Sequence, residues 1–153
     1  MSEELVHYIL GPADDALVLG HRLSEWCAHA PTLEEDLALA NIALDHLGHA
    51  QILLGFAAET LGGKTSVDSL AYFRDANEFR NFSLLEYPLK FDFAATIATL
   101  YCFGHFQVLF LESLQQSKEL RLASFAAKAI KEIQYHLRHA RTWLARLAQG
   151  TDE

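Results

Sequence analysis

Apolar residues recur along this chain at steps of three and four, while strict alternation is scarce, so the pattern predicts helices throughout. The clearest case is Ser124 to Gln149. There Ala126, Ile130, Ile133, Leu137, Ala140, Leu144 and Leu147 form one apolar seam, as in a helix buried against other helices. Beside it runs a second stripe, Phe125, Ala129, Glu132, His136, His139 and Trp143, with a carboxylate and two imidazoles at its centre. Lys128, Lys131, Arg138 and Arg141 lie largely towards the remaining face.

Local start and stop signals place the other helices. Pro12 suits the first turn of a helix, and Asp14 and Asp15 suit its positive end. A first helix is therefore predicted from Pro12, after a short opening segment, to about Ala30. Thr32 with Glu35 three residues on reads as a capping box for a second helix, which continues to about Leu61 and is ended by Gly62 and Gly63. Lys64 to Lys90 is a mixed connection, with a short helix around Ser69 to Arg80 and a passage through Pro88. Asp92 is the expected cap of a third helix over Phe93 to Leu114. Ser117 is the expected cap of the fourth, and Gly150 follows it. Four long helices with a long crossover between the second and third predict an all-α, ferritin-like four-helix bundle in a single domain over 1–153.

Two of these helices are unusually apolar. Between Leu37 and Ala58 the one charged residue is Asp45, and Phe93 to Leu111 has none. The second of these meets the length of a membrane span, but Thr96, Thr99, His105 and Gln107 interrupt it, so a helix buried on most sides is expected instead. A bundle of this size normally leaves each helix a solvated polar face. Two helices without one predict extra covering, by more chain or by a partner protein.

Composition narrows the classes. A chain of 153 residues with 51% hydrophobic and 21% charged residues is an ordinary globular protein with room for one sizeable core. A net charge of −8 without a lysine or arginine run argues against nucleic acid. Cys27 and Cys102 both fall in apolar helical patterns, which predicts buried, reduced thiols in a cytoplasmic protein. The acidic opening MSEELVHY lacks the features of a signal peptide. No glycine-rich phosphate loop, Ser/His/Asp signature or Cys-x-x-Cys occurs. Trp26, Tyr101, Tyr135 and Trp143 read as packing aromatics.

The carboxylate and imidazoles beside the fourth helix's seam raise the question of a di-metal site. Such sites take a glutamate from each of two helices and a Glu-x-x-His pair from each of the others, because residues three apart share a face. Here the one literal Glu-x-x-His is Glu4/His7, in the opening segment. Glu132 is followed at i+3 by Tyr135, with His136 at i+4, and Asp45 by Gly48, with His49 at i+4. The first helix offers Glu25, and the third offers His105 and Glu112. His46/His49 and His136/His139 form i,i+3 pairs, but His46 is expected to point away from its helix's seam. If a degenerate metal site survives, Glu25, Asp45, His49, Glu132 and His136 would form it. The favoured reading is that Arg22, Glu25, Asp45, Glu132 and His136 form an internal polar network without metal, since buried charges must be paired. His49, His105 and His139 are expected as core or interface histidines.

The strings LVLGHRLSEWCAHAPTLEEDLALANIALDHLGHAQ (Leu17 to Gln51), YFRDANEFRNFSLLEYP (Tyr72 to Pro88), FAATIA (Phe93 to Ala98) and AAKAIKEIQYHLRHARTWLARLAQGT (Ala126 to Thr151) closely resemble the family of C-type subunits of the bacterial ring 1,2-phenylacetyl-CoA epoxidase. The resemblance runs along nearly the whole chain. It implies a ferritin-like, non-catalytic structural component that pairs with the paralogous catalytic A-type subunit, and with other epoxidase subunits, in phenylacetate degradation. The A-type partner would hold the di-iron centre and the acyl-CoA, and a reductase with flavin and an iron–sulfur cluster would supply electrons from NADPH. No cofactor, no catalytic residue and no membrane contact would belong to this chain. Members of the family are longer, with further helices after the position of Gly150. His46 and His49 replace apolar or amide residues, which leaves adventitious metal binding open. Two alternatives differ in class: an autonomous di-metal oxidase or oxygenase using the five candidate ligands, and a homo-oligomeric storage or stress protein.

Overall fold

The computed structural model describes residues 2–86 and 92–150, and every regular element among them is helical. The chain forms two compact units, Met1–Tyr87 and Pro88–Glu153. In the first, α1 (Ser2–Ser24) packs along α2 (Leu33–Thr60), followed by a short α3 (Val67–Tyr72) and single 3₁₀ turns at Ala76–Glu78 and Ser83–Glu86. In the second, α4 (Phe93–Leu114) packs along α5 (Leu120–Gln149). Two long helices, a long connection and two more long helices is the element order of the ferritin-like class. The expected passage through Pro88 lies outside the described residues.

The first helix departs from its prediction at both ends. It begins some ten residues earlier and runs through Pro12. The reason is an apolar stripe that does not stop at the proline: Val6, Ile9, Ala13, Ala16 and Leu17 are all buried. Burying each large aliphatic side chain gains about 1.5–3 kcal/mol, against about 3 kcal/mol for an interior proline, so the stripe as a whole outweighs the break. At the far end α1 stops at Ser24 rather than near Ala30. Tight turns follow, with Trp26 and Cys27 N–H donating to the Leu23 and Ser24 carbonyls at 3.1 and 3.2 Å. Ala28 adopts φ 67°, and its N–H donates to both carboxylate oxygens of Asp36 at 2.9 and 3.1 Å, which fastens the turn to the start of α2.

α2 begins and ends as its signals predict. The Thr32 side chain accepts from the Glu35 N–H, and the Gly62 and Gly63 N–H groups close on the Glu59 and Ala58 carbonyls. Gly62 and Gly63 carry φ of 76° and 71°, a conformation that glycine adopts without steric cost. The two helices meet closely at Gly20, where a Cβ would stand 2.8 Å from Leu47 Cγ and 3.2 Å from the Ala43 carbonyl oxygen.

Asp14 and Asp15 do not sit at a helix start. They lie in the middle of α1, 0% and 6% exposed, and hold the chain that follows α3. Asp14 pairs with the Arg74 guanidinium through both oxygens and also accepts from the Arg80 N–H at 3.0 Å. Asp15 accepts from the Phe82 N–H at 2.7 Å. Arg74 stacks over Phe79, 4.3 Å from its centroid, and Arg80 donates to His7 Nε2 at 2.6 Å. Where a helix around Ser69 to Arg80 is predicted, the chain forms the six residues of α3 and then a 3₁₀ turn capped at Asp75, whose N–H donates to the Glu78 carboxylate, while the Arg80 N–H donates to Asp14.

In the second unit Asp92 caps α4 by accepting from the Ala95 N–H, as predicted. Glu119 rather than Ser117 caps α5, while the Ser117 hydroxyl accepts from the Glu119 N–H. Leu122, Phe125, Ala126, Ala129, Ile130, Ile133, His136 and Ala140 are the buried residues of α5. Ala126, Ile130, Ile133 and Ala140 belong to the predicted seam, Phe125, Ala129 and His136 to the stripe beside it, and Leu147 of the seam is exposed. Gly104 admits Leu137, whose Cδ1 would lie 3.3 Å from an added Cβ. Phe93 meets the Trp143 ring edge-on at 5.1 Å.

Candidate functional site

The residues proposed for an internal polar network are not equally internal. Arg22 and Glu25 do pair, at 2.9 Å, but with side chains 30% and 52% exposed. Because α1 ends at Ser24, Glu25 falls in the turn beyond it, and the pair is a surface one. Glu132 is exposed and Asp45 half-buried, whereas His49 and His136 are buried. Glu132 sits at the margin of the buried face of α5, which its i, i+4 relation to His136 did not reveal.

His46 corrects the reading of α2. It is 1% exposed and shares a face with the buried Leu39, Ile42, Ala43, Ala50 and Leu53, rather than pointing away from the seam. Its ring lies edge-on to that of His49, with centroids 5.9 Å apart. His105 is exposed on α4, its ring edge-on to Tyr101 at 4.7 Å. Cys27 and Cys102 are both exposed, against the expectation of buried thiols.

A di-iron centre needs carboxylates and imidazoles converging from several helices. Among the described residues no group of three or more His, Cys, Asp or Glu side chains could hold a metal ion. The literal Glu4/His7 pair lies at the start of α1, where His7 Nε2 accepts from Arg80. Within each unit, the described donors do not by themselves fit the cofactor of the ferritin-like oxygenases.

Among the described residues, the buried acids Asp14 and Asp15 instead form a clamp with the Arg74 side chain and the backbone N–H groups of Arg80 and Phe82. Burial pushes the Asp15 carboxyl up to about 6; the Phe82 N–H opposes that rise, and neighbouring Asp14 adds to it. Sequence reasoning missed this cluster because its partners lie 60 or more residues apart. A cleft of about 360 Å³ opens between α1, α2 and α3. Leu17, Leu47 and Leu54 form its apolar part, and His21, Gln51 and Tyr72 stand around it. The His21 and Tyr72 rings stack with centroids 6.1 Å apart.

The most extended candidate is a surface. On α2, Leu33, Leu37, Leu44 and Ile52 are 71%, 59%, 65% and 57% exposed, and they share one face with Gly48 and Gly55, whose Cβ positions open into free space. On α4, Phe106 and Leu109 are exposed beside Cys102. Both helices are long and apolar enough by length and composition to cross a membrane. The chemistry available on these faces is desolvation of a complementary apolar surface.

Comparison with known proteins agrees with the resemblance read from the sequence. Over 149 residues, 97% of this chain, the sequence is 50% identical to the C subunit of the 1,2-phenylacetyl-CoA epoxidase of Escherichia coli (strain K12). The chain spans 59% of that relative's length. The family model described as phenylacetic acid catabolic protein matches residues 1–153. This chain, helical in every described regular element and with apolar helix faces exposed on α2 and α4, belongs to the phenylacetic acid catabolic protein family.

Proposed function

We propose that this chain is a non-catalytic structural subunit of a multicomponent phenylacetyl-CoA 1,2-epoxidase, working in the cytoplasm in aerobic phenylacetate catabolism. The observation that carries this reading is the apolar outer face of α2, where four large aliphatic side chains stand in solvent along one stripe. A monomer gains nothing from such a stripe, whereas an obligate interface resembles a domain core cut in half. The partner is a paralogous, di-iron catalytic subunit, which also holds the acyl-CoA. A separate reductase carrying flavin and an iron–sulfur cluster passes electrons from NADPH. This chain contributes packing: α2 and α4 cover apolar surface of the catalytic partner over roughly 2,000 Å² or more, and so hold its iron-bearing helices at fixed separation. The buried carboxylates of α1 serve the fold and not the reaction.

Co-expression with the catalytic partner, followed by iron and manganese analysis of each separated chain, tests this. Expected are a stable heteromer, metal confined to the partner, and poor solubility of this chain alone. About two metal ions in this chain, with oxygenase activity in isolation, would overturn the reading and establish an autonomous di-metal enzyme.

A further inference from the structure

Half of the chain's cations sit on one helix. α5 carries Arg121, Lys128, Lys131, Arg138, Arg141 and Arg146, six of the 12 lysines and arginines, against the single acid Glu132. All six are exposed. The other residues have six cations for 19 acids. At 100° per residue the six occupy an arc of about 160°, opposite the buried Ala129, Ile133 and Ala140, and they extend along about 38 Å of helix. One aromatic lies among them, Tyr135, with Arg138 5.8 Å from its centroid; Arg146 stands over Trp143 at 5.3 Å at the margin of the arc, where Trp143 packs on Phe93. Tyr135 is itself 64% exposed.

Apart from Arg146 in the last turn, which suits the negative end of the helix dipole, this arrangement does not favour the helix itself. Like charges three residues apart, Lys128/Lys131 and Arg138/Arg141, cost the helix a few tenths of a kcal/mol each, whereas a solvated face mixes both signs. Exposed arginine with tyrosine or tryptophan is the composition of interface anchors. The cations are spread along the helix instead of converging, which suits an extended surface rather than a small anion. A duplex would have to approach a molecule of net charge −8.

We propose that the outer face of α5 docks an acidic protein surface, as a salt-sensitive contact separate from the apolar faces of α2 and α4. The partner is sought among the remaining epoxidase subunits, and to that extent the inference rests on the function proposed above. The complex of this chain with the catalytic partner is titrated with each remaining subunit, singly, at about 50 and about 500 mM NaCl, where Debye lengths are roughly 14 and 4 Å. Wild type is compared with Lys131→Glu/Arg138→Glu/Arg141→Glu and with the milder Lys131→Gln/Arg138→Gln, helix content being checked by circular dichroism. One subunit is expected to bind at least about tenfold more weakly to the charge-reversed complex at low salt, with an intermediate loss for the neutral variant and little difference at high salt. Equal binding by all three complexes, no subunit binding wild type, or a short DNA duplex binding as tightly as any subunit would overturn the proposal. Failure of the structural-subunit reading shows separately, as absence of the starting complex. The titration then proceeds on the chain alone and still decides.

Discussion

Asp14 and Arg22 show how differently two ion pairs on one helix serve the fold. Asp14 is fully buried, and the Arg74 side chain opposite it is 10% exposed. Asp14→Ala leaves a buried guanidinium facing an apolar gap, and is expected to destabilise the chain by about 3–5 kcal/mol in chemical denaturation. Arg22→Ala removes a partner from the solvent-exposed Glu25 and should change stability by less than about 1 kcal/mol. Asp15 supplies a pH signature. Its carboxyl is raised to about 6 in the folded chain, first by burial, so the folded state binds this proton more tightly than the unfolded state does. Its contribution is therefore fully present below the ordinary aspartate range near pH 4 and is lost as pH rises through about 6. Asp15→Asn, whose amide oxygen still accepts from Phe82 N–H, should be more stable than wild type at pH 7 and lose that advantage by about pH 4. Thermal unfolding scans across that range check the crossing. Neither carboxylate's role was legible in the sequence. Adjacent acids just after a proline satisfy every rule for a helix start, and the donors that claim them, Arg74, Arg80 and Phe82, are brought there only by the fold.

Among the helices, legibility followed the local signals. α4 was readable to the residue because Asp92 caps it with its own side chain, and α2 because Thr32 begins it and Gly62 and Gly63 end it. α1 was not, since burial of residues on both sides of Pro12 overrides a local signal. The rotation of α2 was not legible either. A helix apolar on both faces has no polar side to show which face turns inward, and so His46 was assigned to the wrong one. Glycines distinguish the two faces. Gly20→Val on α1 forces side-chain atoms into Leu47 and the Ala43 carbonyl, and should destabilise the isolated chain by about 1–3 kcal/mol. Gly48→Ala and Gly55→Ala meet nothing within 4 Å and should each stabilise it by about 0.5–1 kcal/mol through helix propensity. Denaturant midpoints of the three variants measure this ordering; a stabilising Gly20→Val would contradict the close approach of α1 and α2.

At the scale of the whole chain, composition alone indicated that α2 and α4 lack a solvated face, and the exposed Leu44, Ile52, Phe106 and Leu109 give that inference its residues. What the sequence could not supply was the separation of roles. Its histidines and carboxylates were read as one interior cluster, yet Glu25 and Glu132 lie in solvent, while the buried acids Asp14 and Asp15 fasten a connection. A structural subunit of this kind has a testable asymmetry between its own stability and its assembly. Leu44→Asp/Ile52→Asp places two carboxylates on positions 65% and 57% exposed, where the folded chain makes few contacts to lose. Its denaturation midpoint should stay close to wild type and its solubility should rise, since the apolar stripe is broken. Buried in a heteromeric interface, the same two carboxylates would be desolvated without partners, at several kcal/mol each, so co-purification with the catalytic partner should be lost. An undiminished heteromer carrying both aspartates would show that the α2 face is not the surface by which this protein is held, whereas a collapse of the isolated chain would show that these leucine and isoleucine side chains belong to its own core.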